Sequence, residues 1–582
     1  MNIFVLGWSR EGRAEPARAA RAVEQLLAQL PFLPGAAVSA WGSSDGRACA
    51  AWACHAPDLV GGIEYAQASG DELALFAGRP IAWRGGQADG GVIRDPAAAW
   101  ELELDGRYAL VRARGGELEA RADALGAYPL YETEADGTWI SNCPGALLGL
   151  APALETDSAA LAGLLGGGWP LDGHPVWAAI RRRRAEVPRQ RLGAGLDVHA
   201  AADALVEATR ALADWPGRPS IVPLTGGRDS RLVLAAALKA GFDFETVTGG
   251  SPEDEDARVA RELADRAGVP HSLLPPDPVG NLWSHPVEAA RTLMSTAGGT
   301  ASLADAAGFP LAPRPGLLPL WHTGQGGEVG RAYYPAALTR RRALAKLERA
   351  YLGRRPGRRG PLAPPGERLI RESLESWASE RLAAGARPRA LADLFYLDRR
   401  MATWAAPTHG AVEWVRDSTS PLWSSHVVPH LLAGSRGERE AEGFHRAVLR
   451  HLAPELAEIP FADSAGWRSR SAAVRRARSA AALAGKARRQ LARRIRTATP
   501  TERNVLRQMD AEGSSRAGGS DSFAEIQRLV REAAASRAGH PAWGVLDRDQ
   551  VEALLSAPPA SLDTMSRYYV LRLATILLAD VE

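Results

Sequence analysis

Apolar and polar positions keep two different rhythms along this chain. Up to about residue 150, short apolar runs alternate with polar residues and are broken by glycines, as in 101-ELELDGRYALVRARGGELEARADALGAYPLYE-132. YALVRA, the pair Gly115-Gly116 and LEARAD predict a hairpin, and Trp139-Ile140 predicts a further strand. This half is expected to be antiparallel and β-rich, with flanking helices. From about residue 201 the apolar runs IVPL, FETVTG and HSLL are spaced by helical stripes at 230–240 and 252–267, which predicts a parallel α/β sheet. The second stripe is expected to start with Ser251 as N-cap, Pro252 in the first turn, and Glu253 and Asp254 complementing the dipole. A later apolar run, 317-LLPLW-321, enters a second Gly-rich turn, 323-TGQGGE-328, and RYYVLRLATILL predicts an apolar closing helix.

At 582 residues the chain exceeds what one compact core sustains. The change of rhythm divides it into 1–150, a connecting segment at 151–200, and 201–582. It is 46% hydrophobic and 24% charged, ordinary for a globular protein, and no apolar run nears the roughly 20 residues that cross a bilayer. The start, MNIFVLGWSREGR, lacks the charged and apolar regions of a secretory signal, so a cytoplasmic location is expected. Cys49, Cys54 and Cys143 lack zinc-ligand spacing and are expected as buried thiols in a reducing compartment. A formal net charge of +3 gives the molecule as a whole no nucleic-acid-binding character. The segment 468–496 carries no acid and is rich in Arg. Lacking aromatic residues, it argues against single-stranded nucleic acid and leaves a solvated helix or an anion-binding stripe.

Chemistry concentrates in 221-IVPLTGGRDSRLVLAAAL-238. A strand running into two glycines and then a helix presents free backbone N–H groups at a helix N-terminus, where hydrogen bonds and the macrodipole hold an anion. Neither GxxxxGK[ST] nor G-x-G-x-x-G is present. The acid in the turn, Asp229, can hold Mg²⁺ but repels a bare phosphate.

TGGRDS resembles the SGG-x-DS pyrophosphate loop (PP-loop) of the asparagine synthetase superfamily and its adenylating relatives, which split ATP between the α and β phosphates. The resemblance implies that Thr225, Gly226, Gly227 and Ser230 cradle the leaving pyrophosphate, that Leu224 and Thr248 help bind ATP, and that Asp229 ligates Mg²⁺. TGQGGE is similar to the family's downstream loop S-G-E-G-x-D-E, which implies Gly324 at the nucleotide or phosphates and Glu328 as a second Mg²⁺ carboxylate. On a doubly wound parallel sheet both loops would face one crevice at the carboxyl ends of the strands. Gln325 stands where asparagine synthetases carry Glu and β-lactam-forming relatives Tyr, and is expected to face the reacting amine without being a strong base. The family's catalytic Lys, expected after 447-AVLRHLAPELAEIPFAD-463, is absent, so Arg468 or Arg470 is the expected substitute charge.

Gly106 to Leu148 is similar to the glutamine-hydrolysing half of the same enzymes. The implied architecture is a degenerate Ntn-glutaminase-like α/β/β/α domain followed by an adenine nucleotide α-hydrolase-like parallel α/β synthetase domain. That glutaminase needs Cys as mature residue one, whereas this sequence reads Met1-Asn2-Ile3, so the amine is expected to come from the substrate. In overall plan the chain resembles lasso-peptide macrolactam synthetases and β-lactam synthetases. The resemblance implies ATP- and Mg²⁺-dependent adenylation of a carboxylate and attack by an amine, with a ribosomal precursor peptide as substrate. A leader peptidase and a leader-recognition protein are the implied partners, without nucleic acid or membrane. The alternatives are an asparagine synthetase fed by ammonia or glutamine, a ligase for a small carboxylate and amine, and an inactive ATP-binding scaffold. His271 and His322 are expected as structural residues rather than a proton shuttle, and Trp404, Trp414 and Trp423 as core aromatics rather than a peptide pocket. Asp254, Glu255 and Asp256 are expected as first-turn acids rather than a metal site.

Overall fold

The computed structural model describes residues 3–11, 14–30, 36–54, 60, 63–84, 86–90, 96–114, 116–183, 192–215, 218–274, 285–306, 318–353, 360–413, 416–462 and 519–579. The chain first runs through β1 (Ile3–Trp8), β2 (Val38–Gly42), β3 (Ala48–Ala53), β4 (Ala66–Ser69), β5 (Glu72–Arg84), β6 (Gln87–Asp89), β7 (Leu104–Arg114), β8 (Glu117–Ala122), β9 (Tyr131–Glu134), β10 (Thr138–Ser141) and β11 (Arg181–Arg182). These form two antiparallel sheets, one in the order β11-β9-β10-β1-β3-β2 and one in the order β4-β5-β7-β8 with β6 paired to β5. The expected hairpin is β7–β8, closed with Arg114 opposite Glu117, and Gly116 takes the positive φ of +78° that its tight turn requires.

Period-two alternation decides which face each residue serves. Phe4 and Leu6 of β1 join Leu73, Leu75 and Ala77 of β5 and Val111 of β7 in a core between the sheets. Ile3 and Val5 turn the other way, toward Ala19 and Val23 of helix α1 (Pro16–Ala28). Phe76 and Leu110 face outward from the second sheet and pack on Trp215, Leu318 and Leu320. Among the described residues up to 150, α1 is the one α-helix. The outer layer expected to be helical is therefore supplied by the second half of the chain, because an apolar sheet face has to be covered by something. The described residues of the segment 151–200 include packed secondary structure. They form β11 and helix α2 (Ser158–Gly167), apolar throughout beyond Ser158, whose N-cap Asp157 accepts from the N–H groups of Ala159 and Ala160.

The second half is built on a fully parallel sheet. Helix α3 (Val198–Ala213) leads into β12 (Ser220–Pro223), α4 (Asp229–Ala240), β13 (Phe244–Gly249), α5 (Glu255–Ala267) and β14 (His271–Leu274), and the sheet is completed by β15 (Leu320–His322) and β16 (Asp417–Thr419). Strand order is β14-β13-β12-β15-β16. The chain thus winds outward from β12 to β14 and returns to the other side of β12, which makes the β12/β15 boundary the switch point where such sheets open a crevice. Helix α5 starts three residues later than expected. Ser251 donates its N–H to the Asp254 carboxylate at 3.1 Å, and that closed turn makes Asp254 the N-cap. Among the described residues no helix is long and apolar enough to cross a membrane.

Buried ion pairs join the two halves. Asp417 at the start of β16 pairs with Arg79 of β5 and with Arg218 at 3.0 Å, and Glu413 pairs with Arg107 of β7 at 3.3 Å. Burial alone would raise the pKa of Asp417, but Arg79 and Arg218 outweigh it and hold the carboxyl well below the usual carboxylate range. Removing one member of such a pair leaves uncompensated buried charge. Asp417→Ala is therefore expected to lower the unfolding free energy by about 3–5 kcal/mol in denaturant titrations. A loss below about 1 kcal/mol, the value of an exposed pair, would contradict this account of the junction.

Candidate active site

Two loops meet at the switch point. The first, 225–228, leaves β12 and enters α4 at Asp229. Thr225 braces it: its N–H and hydroxyl lie 3.2 and 3.0 Å from the Ser230 hydroxyl, and its hydroxyl accepts from the Gly227 N–H at 3.2 Å. The Gly226 N–H donates to Asp256 of α5 at 3.2 Å. One cradle donor thus faces a carboxylate, the kind of group a helix N-terminus attracts. Leu224 is buried in the core and its carbonyl accepts the Thr248 hydroxyl at 2.7 Å, so this pair fastens the ends of β12 and β13.

The second loop, 323–328, leaves β15 and lies directly on the first. A Cβ on Gly324 would come within 2.7 Å of the Ser230 nitrogen and 2.8 Å of the Asp229 carbonyl carbon, and one on Gly327 would overlap the Asp229 carboxylate. Glycine is what allows these backbones to touch.

Asp229 is the hub. It accepts from Arg331 at 2.5 Å on one oxygen and lies 2.7 Å from His445 Nε2 on the other. Burial alone would raise its pKa, but Arg331 and His445 outweigh it and hold the carboxyl at about 2. Glu328 accepts from the Tyr396 hydroxyl at 2.6 Å and has Arg400 4.0 Å away. Glu442, fully buried, pairs with Arg228 at 2.8 Å. Three carboxylates therefore face three guanidinium groups in one network, buried at Glu442 and Arg228 and less fully so at the other two pairs. Two non-glycine residues with left-handed backbone, Ala332 at φ +51° and Glu442 at φ +58°, adjoin Arg331 and carry the Arg228 partner, respectively. Strain of this kind persists where the surroundings demand a side chain in a set place.

This geometry bears directly on Mg²⁺. Asp229 and Glu328 are hard oxygen donors of the right class. Yet Asp229 is already bound to Arg331, which also feels the fields of Glu328 and Glu442, and Arg400 stands beside Glu328. A resident divalent ion at this pair would be set against a buried guanidinium. The donor set as it stands does not fit one. Among the described residues no group of three or more His, Cys, Asp or Glu is arranged to hold a metal, the acids 254–256 included.

Gln325 contacts His409 Nε2 through its side chain, while its carbonyl accepts the Ser420 hydroxyl at 2.5 Å. Both line a cavity of ≈30 Å³, about one water in size, between Ile81 and Arg107 of the first half and Met401 and Trp423 of the second. Tyr396, Arg400 and Met401 belong to a ten-residue π-helix, Tyr396–Ala405, continued by the α-helix Ala406–Val412 that carries His409. π-helical turns are rare and concentrate at functional sites. The Arg400 guanidinium sits between the rings of Tyr333 and Trp404, 4.7 and 4.3 Å from their centroids.

Of the residues expected from the sequence, Thr225, Gly226, Gly227, Asp229, Ser230, Gly324, Gln325 and Glu328 are brought together. Arg468, Arg470, Trp414 and the segment 468–496 lie outside the described residues. Ala462, the last residue before them, donates its N–H to the Gly226 carbonyl at 3.2 Å. His271 and His322 are tied by their side chains to Thr246 and Ser220, residues of the strands rather than of the two loops. Trp404 donates to Asp305 at 2.9 Å and packs on Arg400. Burial pushes the thiols of Cys49 and Cys143 up to about 12 and that of Cys54 to about 11, so none is primed as a nucleophile. Sequence reasoning missed Arg331, Tyr396, Arg400, His409, Glu442 and His445. Only Arg331, three residues beyond Glu328, carried a local signal.

Burial, reinforced by Arg107 and Arg416, pushes the His409 pKa down to about 3. The folded imidazole stays neutral while the unfolded one takes a proton below about 6.5, so this residue's contribution to stability is present above pH 6.5 and fades as pH falls toward 3. In NMR the His409 ring signals are expected to stay at neutral positions from about pH 8 to about pH 5, and a midpoint near 6.5 would contradict the geometry. A scan against models of known protein families and a search of curated proteins return no match to this chain.

Proposed function

We propose that the chain is an ATP-dependent carbon–nitrogen ligase that adenylates a carboxylate and passes the acyl group to an amine. The observation that carries this reading is the meeting of TGGRDS and TGQGGE at the carboxyl ends of the two strands flanking the switch point, with Gly324 against Asp229–Ser230. It rests also on their resemblance to the PP-loop and downstream loop of the asparagine synthetase superfamily. On this reading the second half is a PP-loop synthetase domain, and the paired antiparallel sheets of the first half are a degenerate Ntn-glutaminase-like domain.

ATP arrives as its Mg²⁺ complex, the ion travelling with the substrate. A carboxylate oxygen attacks the α-phosphorus, the bond to the bridging oxygen breaks, and pyrophosphate leaves. On this reading the N–H groups at the start of α4 and the hydroxyls of Thr225 and Ser230, which bond each other in the resting site, receive that charge. An amine then attacks the acyl carbon, AMP departs, and the nitrogen gives up a proton. Gln325 is the side chain of the second loop that reaches the junction cavity, held by His409. Burial-suppressed thiols, together with the resemblance to cysteine-less relatives, favour an amine from the substrate over glutamine-derived ammonia. The substrate we favour is a ribosomal precursor peptide closed to a lasso-type macrolactam, with a leader peptidase and a leader-recognition protein as partners. That choice rests on the resemblance in overall plan.

The test is pyrophosphate release from ATP and Mg²⁺ by the full chain, offered aspartate plus ammonia, small amino acids, or precursor peptides. Release with peptide is expected, accompanied by loss of one water from the peptide mass. Asp229→Ala, which unseats Arg331 and the loop at Gly327, is expected to lower turnover at least about 100-fold. Release with aspartate and ammonia alone would make the enzyme an asparagine synthetase, and silence with every carboxylate despite ATP binding would leave an inactive scaffold.

A further inference from the structure

We propose that Arg331 is the resident cation of the phosphate site: its guanidinium neutralises Asp229 while the site is empty and holds the β- and γ-phosphates when it is filled, with no divalent ion held by the protein's own carboxylates. The proposal rests on the reading of 225–230 as a phosphate cradle.

Four observations carry it. Arg331 Nη2 binds Asp229, the first residue of α4, so the guanidinium stands at the N-terminal end of that helix. Its Nε is buried and makes no hydrogen bond among the described residues, which leaves donor capacity that Asp229 does not use. Its backbone neighbour Ala332 is held in the left-handed region at φ +51°, a conformation retained at the residue following Arg331. Asp229, Glu328 and Glu442 all act on this guanidinium, which places it at the electrostatic centre of the loop junction. An arginine fork matches phosphate oxygens bidentately and stays charged throughout the accessible pH range, so it can exchange a carboxylate for a phosphate without gaining or losing a proton.

The two roles of Asp229 make opposite predictions. If Asp229 holds a metal, Asp229→Asn weakens pyrophosphate binding. If it is the placeholder that Arg331 releases, the same substitution frees the guanidinium and strengthens metal-free binding. The experiment is calorimetric titration of the full chain with sodium pyrophosphate, first in excess EDTA and then in Mg²⁺, on wild type and the Arg331→Met, Arg331→Lys and Asp229→Asn variants, each checked for folding by circular dichroism.

Wild type is expected to bind in EDTA. Arg331→Met is expected to lose about 10- to 100-fold under that condition, and Arg331→Lys less, while Asp229→Asn gains several-fold. Pyrophosphate binding by wild type in Mg²⁺ alone, weakened by Asp229→Asn and unmoved by Arg331→Met, would overturn the role of Arg331 and leave the cradle standing. No binding by wild type in either condition would overturn both. Should Arg331→Met fail to fold, the sign of the Asp229→Asn effect decides the matter.

Discussion

Everything at the candidate site hangs on the Asp229 carboxylate and its two partners. Arg331 at 2.5 Å and His445 at 2.7 Å come from stretches about a hundred and two hundred residues downstream. Through Asp229 they fasten the start of α4, the loop after β15 and the helix Gly443–Leu452 into one body. A buried carboxylate is tolerated only when paired and hydrogen-bonded, and this one is both. Its neighbours repeat the solution, Glu328 with Tyr396 and Arg400, and Glu442 with Arg228. The resting site is thus balanced charge against charge, and an incoming polyanion has to shift that balance rather than fill a void.

The surrounding architecture keeps this network in register. Parallel strands β12 and β15 are bonded neighbours, so the loops at their carboxyl ends emerge side by side whatever their own sequence. Glycines at 324 and 327 then let backbone touch backbone. On the far side of the sheet edge, Asp417 with Arg79 and Arg218, and Glu413 with Arg107, clamp the first half of the chain against the junction cavity beside Gln325. The second antiparallel sheet, through Ile81 of β5 and Gly106 and Arg107 of β7, therefore forms a wall of that cavity, a structural role that needs no thiol.

What could be read from the sequence was local. The alternation at 101–132 foretells β7 and β8 because a strand's faces are written in adjacent residues, and 221–240 foretells β12 and α4 because turn, cap and stripe are contiguous. The loop residues 225–230 and 323–328 followed from the same contiguity, together with the resemblance they carry. What escaped was set at long range. His409 meets Gln325 across 84 positions, and His445 meets Asp229 across 216, separations over which no periodicity runs. Helix α2 was folded into a connecting segment because it is apolar all round and lacks the polar face that marks a helix in a sequence. The π-helical Tyr396–Ala405 likewise has no sequence signature of its own. The contact of Arg331 with Asp229, which bears on how that carboxylate could meet Mg²⁺, is likewise brought about by the fold.

The central claim is that the two loops bound one triphosphate site at the β12/β15 boundary. The measurement that tests it most directly is a crystal structure of the full chain with α,β-methylene-ATP, whose α–β linkage cannot be broken. The account predicts the β- and γ-phosphates on the N–H groups of 225–230, with Gly324 on the opposite side and Arg331 turned from Asp229 toward phosphate. Nucleotide bound elsewhere, or phosphates at this boundary with the Asp229–Arg331 pair intact and remote from them, would contradict it.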